Sequence, residues 1–158
     1  LGHTKSDEAL FSKIVNAPFS TKSKRRPVGL SIVVLLLVNK NDDVIERIAL
    51  ADTESAQGAI EFSVKKFHEI KIPLSNKQNA IVAAIKSAEA QTVTDWQYLF
   101  TPALTPEEAR FNQAGAGIAT SVVYPINTAE DGGALIFSYV QPADNITAQY
   151  HKFMKHYS

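Results

Sequence analysis

GIATSVVYPINTAEDGGALIFSYV, residues 117–140, decides the fold. Two apolar segments, dense in β-branched and aromatic residues, flank the polar run NTAEDGG. Apolar segments without polar alternation form strands covered on both sides, so the stretch is predicted to be a central antiparallel hairpin buried on both faces. Side chains alternate across a strand, which puts Thr120, Val122 and Tyr124 on one face and Ser121 and Val123 on the other.

Both flanks of the hairpin are helical. On its N-terminal side, Thr105, Pro106, Glu107 and Glu108 make a capping box, with Pro106 at the first helical position where its missing N–H costs nothing. That helix runs to about residue 114, and AGAG at 114–117 ends it. On the C-terminal side, Ile146, Tyr150, Phe153 and Met154 predict an amphipathic helix over 144–157. A second hairpin is predicted nearer the start, from SIVVLLLV within 27–39 and a partner strand at 44–51. NKNDD joins them, and its Asn and Asp residues tolerate left-handed backbone. The first of these strands lacks polar alternation, whereas Glu46 and Arg47 are expected to leave the second partly wet.

The remaining elements are shorter. Residues 6–16 read as an amphipathic helix capped by Ser6, with Asp7 and Glu8 in its first turn. Residues 53–66 hint at a helix that Gly58 weakens, and 67–74 read as an edge strand ended by Pro73. A helix over 75–88 is expected to open on a capping box at Ser75 to Gln78 and to carry the stripe Ile81, Ala84, Ile85 and Ala88. Residues 91–94 are brief and β-prone, followed by the aromatic run DWQYLF. The order of elements predicts an α+β fold with a central antiparallel β-sheet.

At 158 residues the chain fits one globular domain with a substantial core. Residues 1–26 read as an N-terminal helix and basic linker, and 27–158 as the main globular unit. Lys plus Arg and Asp plus Glu balance at 16 each, so the surface as a whole carries no nucleic-acid footprint. The basic run STKSKRR at 20–26 lacks interleaved aromatics and reads as a solvated loop. The longest apolar run, 32–38, falls far short of the roughly 20 residues that span a bilayer. The opening LGHTKSDEAL has no signal-peptide pattern, and the chain is expected to be a piece of a longer protein. There is no cysteine, which removes disulfides, thiolate metal sites and cysteine nucleophiles.

Few residues point to chemistry. His151 and His156 are five apart, unlike the i, i+4 spacing of a shared helical metal site, and His68 has no partner motif. Ser121 and Ser138 lie inside strands and lack the sharp elbow that exposes a nucleophile. Gly115 and Gly117 follow a helix instead of preceding one, so they serve a C-cap better than a phosphate cradle. Asn145-Ile146-Thr147 matches a glycosylation acceptor, which matters only in a secreted protein. Trp96, Tyr98 and Phe100, followed by Arg110 and Phe111, combine aromatic area with polar tips and one cation, as a small-molecule pocket does. Core packing explains the same residues almost as well.

These stretches resemble a known family. NAIVAAIKSAEAQTVTDW, residues 79–96, resembles the part of GAF domains where a helix leads through a small-residue turn to a short strand and an acidic residue. Residues 117–140 are similar to the characteristic GAF ending, a strand closing on Tyr124, Pro125 and Ile126, then a turn and a glycine-led apolar strand. The resemblance covers about 27–157 in element order. It implies a central sheet with the terminal helices on one face and a pocket enclosed by the intermediate helices and loops on the other. It also implies a sensory role in larger signalling proteins, with cyclic nucleotides, bilins, haem or other small molecules as ligands, or dimerisation alone. The Asn-Lys-Phe-Asp-Glu pattern of cyclic-nucleotide-binding members is missing. Without cysteine, neither bilin attachment nor the sulfoxide-reductase chemistry of some small members is possible.

The expectation is therefore a non-enzymatic, cytoplasmic, GAF-like regulatory domain whose parent protein could carry a membrane anchor. It binds an unidentified small molecule through Trp96, Tyr98, Arg110, Phe111, Thr120 and Tyr124. It relays binding through its terminal helices, which are expected to form a homodimer. No catalytic or metal-ligating residues are expected, and no nucleic-acid or membrane contact. The alternative is a ligand-free dimerisation module with Tyr150, Phe153 and Met154 partly in the interface.

Overall fold

The computed structural model describes residues 4–20, 29–126 and 132–158. The first half contains α1 (Lys5–Asn16), β1 (Leu30–Asn39), β2 (Val44–Leu50), α2 (Glu54–Phe62), β3 (Lys71–Pro73) and α3 (Ala80–Ser87). The second contains β4 (Gln91–Val93), α4 (Gln97–Phe100), α5 (Pro106–Ala116), β5 (Thr120–Ile126), β6 (Gly133–Tyr139) and α6 (Ala148–Tyr157). The strands make one six-stranded sheet in the order β3-β2-β1-β6-β5-β4, and all five pairings are antiparallel.

Two hairpins, β1–β2 and β5–β6, are joined by pairing β1 to β6. The stretch at 117–140 thus supplies one of the two central strands, and every residue of β6 is buried. The polar turn of that hairpin lies at 127–131, outside the described residues, as does the basic run beyond Ser20. Because β1 and β6 are covered on both sides, their alternation divides the core into two clusters. Ile32, Val34, Leu36, Ala134 and Ile136 belong to one, and Val33, Leu35, Leu135, Phe137 and Tyr139 to the other. Each large side chain so buried contributes about 1.5–3 kcal/mol.

The terminal helices share a face. Val15 of α1 and Phe153 and Met154 of α6 are buried against Val33, Leu35, Val122 and Phe137. Phe153 and Met154 are therefore core, which corrects the expectation that they stand partly in an interface. The opposite face is covered by Ala56 of α2, Ile81, Val82 and Ala84 of α3, Leu99 and Phe100 of α4, and Ala109 of α5. The predicted α+β layering, with terminal helices on one side and intermediate elements on the other, is the observed one.

Helix ends follow side-chain chemistry. Thr105 and Glu108 form the predicted reciprocal box at the start of α5, and Gly117 ends it with φ 69°. Two predicted caps fall elsewhere. Thr4 and Asp7 form the box at α1, because Asp7 can return a bond to the cap backbone whereas Ala9, the corresponding residue for Ser6, cannot. Likewise α3 is capped by Asn79, not Ser75. The Asn79 Oδ1 accepts from the N–H of Ile81 (2.8 Å) and Val82 (3.3 Å), while its Nδ2 donates to the carbonyl of Leu99 (2.6 Å). A tertiary bond to α4 thus reinforces the local one. The predicted strand at 67–74 narrows to β3 after a helical turn at Phe67–Glu69, and β3 is an edge strand as Pro73 requires. DWQYLF supplies α4, a single helical turn that periodicity does not resolve.

Candidate functional site

A cavity of about 50 Å³ opens on the sheet face opposite the terminal helices. Its floor is sheet: Ile32 and Val34 of β1, Arg47 and Leu50 of β2, and Ile136 and Ser138 of β6. Ala56, Ala59 and Ile60 of α2 and the following Ser63 and Lys65 make one wall. Phe67, Trp96, Leu99, Phe100, Leu104 and Asn112 complete the enclosure. The space is small, on the scale of a few water molecules.

Polar groups fix the walls. The Trp96 indole N–H donates to Ser121 Oγ at 2.9 Å, and Ser121 shares a 2.7 Å hydroxyl–hydroxyl bond with Ser138. This relay ties the loop before α4 to the floor strands. Trp96 and Phe100 meet edge to face at 5.3 Å. Asn112 is buried on α5, accepting from Val64 N–H and donating to Ser63 Oγ, both at 3.1 Å. It fixes the 63–65 segment, and the Lys65 ammonium donates to the Ala103 carbonyl.

Arg47 is the unusual member. Its Nε donates to the Phe67 carbonyl at 3.0 Å, and its guanidinium carbon lies 4.5 Å from the Phe67 ring centre and 5.5 Å from that of Phe100. Among the described residues no carboxylate lies within ion-pairing distance of Arg47 or Lys65. Burial pulls the Arg47 guanidinium down to about 10, yet it remains protonated at neutral pH. Two cations and no carboxylate line the cavity, in a chain whose formal charges cancel.

Of the six sequence candidates, only Trp96 lines this cavity. Tyr98 and Phe111 are exposed. Arg110 is exposed on α5 and pairs with Asp95 at 3.1 Å. Thr120 and Tyr124 correct the choice of hairpin face. Thr120 Oγ1 donates to the Gln141 carbonyl, and Tyr124 packs toward α6, its hydroxyl 2.6 Å from His151 Nδ1. Ser121 and Val123 face the cavity side instead. Sequence reading missed Arg47, Lys65 and Asn112. The second strand is partly wet as expected, with Ile45 its one buried residue, and the available signal was the cation Arg47 within it. Glu46 and Arg47 in fact point to opposite faces.

No protein-family model matches the chain, and no curated protein sequence does. Solved structures do. The GAF domain region of a protein described as a membrane protein from Geobacter sulfurreducens PCA aligns with 94% of this chain and 85% of its own, at 17% identity and TM-score 0.60. The GAF domain of a two-component sensor histidine kinase from Bacillus halodurans aligns with 99% and 89%, at 16% identity and TM-score 0.59. A type II free methionine-R-sulfoxide reductase from Thermoplasma acidophilum aligns with 96% and 89%, at 10% identity and TM-score 0.55. The fold is that of GAF domains. Among the described residues no helix is long and apolar enough to cross a membrane, and no three His, Asp or Glu side chains are grouped to hold a metal.

Proposed function

We propose that this chain is a sensory, regulatory domain of a larger signalling protein, taking a small molecule into the cavity and relaying its presence to α1 and α6. One observation carries the reading. Strand β6 presents Ile136 and Ser138 to the cavity while Leu135, Phe137 and Tyr139 pack beneath the terminal helices. A single strand separates ligand from output, so a shift at the floor is felt in the helix packing without a long relay. A ligand biases that packing only by its differential affinity for two arrangements, and moving an equilibrium from 1:99 to 99:1 takes about 5.5 kcal/mol of it. The sensor kinase neighbour has the same fold, which is support by analogy. The test is a thermal-shift screen of small metabolites, followed by hydrogen exchange of α1 and α6. Hits that raise the melting temperature and alter exchange in both helices support the reading; a screen without hits would sink it.

A second reading is a ligand-free dimerisation module, favoured by the small cavity volume and by Leu10, which stands 54% exposed on α1. Sedimentation velocity across a hundredfold concentration range separates the two, since a strictly monomeric chain contradicts the module.

A further inference from the structure

The cavity combines features that together select a ligand class. Arg47 spends Nε on the Phe67 carbonyl, but its two terminal –NH₂ groups make no hydrogen bond to a described residue. Phe67 and Phe100 cover the guanidinium, leaving its edge as the recognition surface. A guanidinium edge is a planar fork matched to two oxygens of one anion. Lys65 adds a second cation on the same cavity, and no lining carboxylate competes for either. The rest of the lining is mostly aliphatic, including Ile32, Val34, Leu50 and Ile136. An inorganic oxyanion would leave that surface unused, whereas a short alkyl chain covers it. Volume supplies the last constraint, because a cavity of about 50 Å³ suits a small fragment such as acetate or propionate far better than a nucleotide.

We propose that the ligand of this cavity is a short aliphatic carboxylate, its oxygens held by the terminal –NH₂ groups of Arg47 and its alkyl chain packed on the floor of β1 and β6. The inference rests on the reading that the cavity takes a small molecule. Lys65 adds a second positive charge to the same lining, and the small volume of the cavity limits the length of the chain.

Trp96 is the sole tryptophan of the chain and lines the cavity, so its emission reports occupancy. Sodium propionate, acetate, hexanoate and nitrate, with neutral propionamide, are titrated at matched ionic strength into wild type, R47K, R47Q and Y124F. Circular dichroism verifies that each variant is folded. Propionate is expected to give a saturable change, with acetate about fourfold weaker for the lost methylene. Propionamide, hexanoate and the R47K variant are expected to be at least about tenfold weaker, and R47Q silent. Y124F, altered on the opposite face, is expected to bind as wild type does. R47K keeps the charge and lacks the fork, so it tests recognition even if R47Q fails to fold. Equal binding of propionamide or nitrate, or an unchanged R47K, overturns the inference. Binding of neutral fragments with propionate silent overturns the carboxylate while leaving the cavity reading intact. Silence from charged and neutral compounds alike overturns both.

Discussion

Replacing Ser121 with alanine removes one oxygen from the most buried polar contact of the site. Ser121, Ser138 and Trp96 are all buried, and the Ser121 hydroxyl both receives the indole N–H and pairs with Ser138. Alanine leaves the indole donor unpartnered in a region that water does not reach, a loss of about 1–3 kcal/mol. The missing hydroxyl–hydroxyl bond adds about 1 kcal/mol. S121A is therefore expected to destabilise by about 2–4 kcal/mol, which lowers the melting temperature by roughly 4–16 °C in a chain of this size. S138A is a sharper control, because Ser121 can still accept from Trp96 and only the bond of about 1 kcal/mol is lost. The double variant is expected to cost less than the two singles together, since the Ser121–Ser138 bond is removed only once. Urea unfolding of the three variants measures all of this. An S121A that unfolds within about 0.5 kcal/mol of wild type, or an S138A costlier than S121A, would refute the relay as the link between Trp96 and the sheet.

Asn79→Ala removes the cap of α3 and its bond to the Leu99 carbonyl, and a loss of about 3 kcal/mol in urea unfolding is expected. Asn79→Asp keeps the cap but turns a carboxylate toward that carbonyl, so at neutral pH it is expected to do no better than alanine. Gly133→Ala drives a Cβ into the Leu36 carbonyl on the neighbouring strand and is expected to cost at least about 2 kcal/mol, read as a lowered melting temperature. Burial pushes Asp95 up, but hydrogen bonds from Gln97 and Arg110 outweigh it and hold the carboxyl below its ordinary 3.8. A depressed folded-state pKa contributes stability that is complete above the unfolded value and lost as pH falls through the folded one. Between pH 5 and 2.5, Asp95→Asn is thus expected to lose less of its melting temperature than wild type, and equal losses would contradict the pairing.

The architecture was legible where one residue type does one job. Unbroken apolar runs identified β1, β5 and β6 as strands with cover on both sides, and the Thr105–Glu108 box opened α5 as expected. Local rules failed where tertiary partners choose between near-equal options. Asn79 prevailed over Ser75 because its amide also reaches Leu99, a contact 20 residues away that no local pattern reveals. The hairpin face was ambiguous for a related reason. Thr120 and Ser121 are both buried hydroxyls, each satisfied by a partner far along the chain, Gln141 in one case and Trp96 in the other. The partly wet character of β2 was legible from Glu46 and Arg47, but no local pattern reveals that two aromatic rings and a carbonyl hold Arg47 at a cavity.

The central claim is that ligand and terminal helices occupy opposite faces of one sheet. Amide and side-chain NMR of the labelled chain, titrated with propionate or with the strongest hit of the screen, tests it most directly. The largest saturable shifts are expected at the Trp96 indole N–H and the Arg47 Nε–H, with smaller ones passing through β6 into α6. Shifts centred on Tyr124, Tyr150 and His151 would put the ligand on the wrong face and contradict the claim.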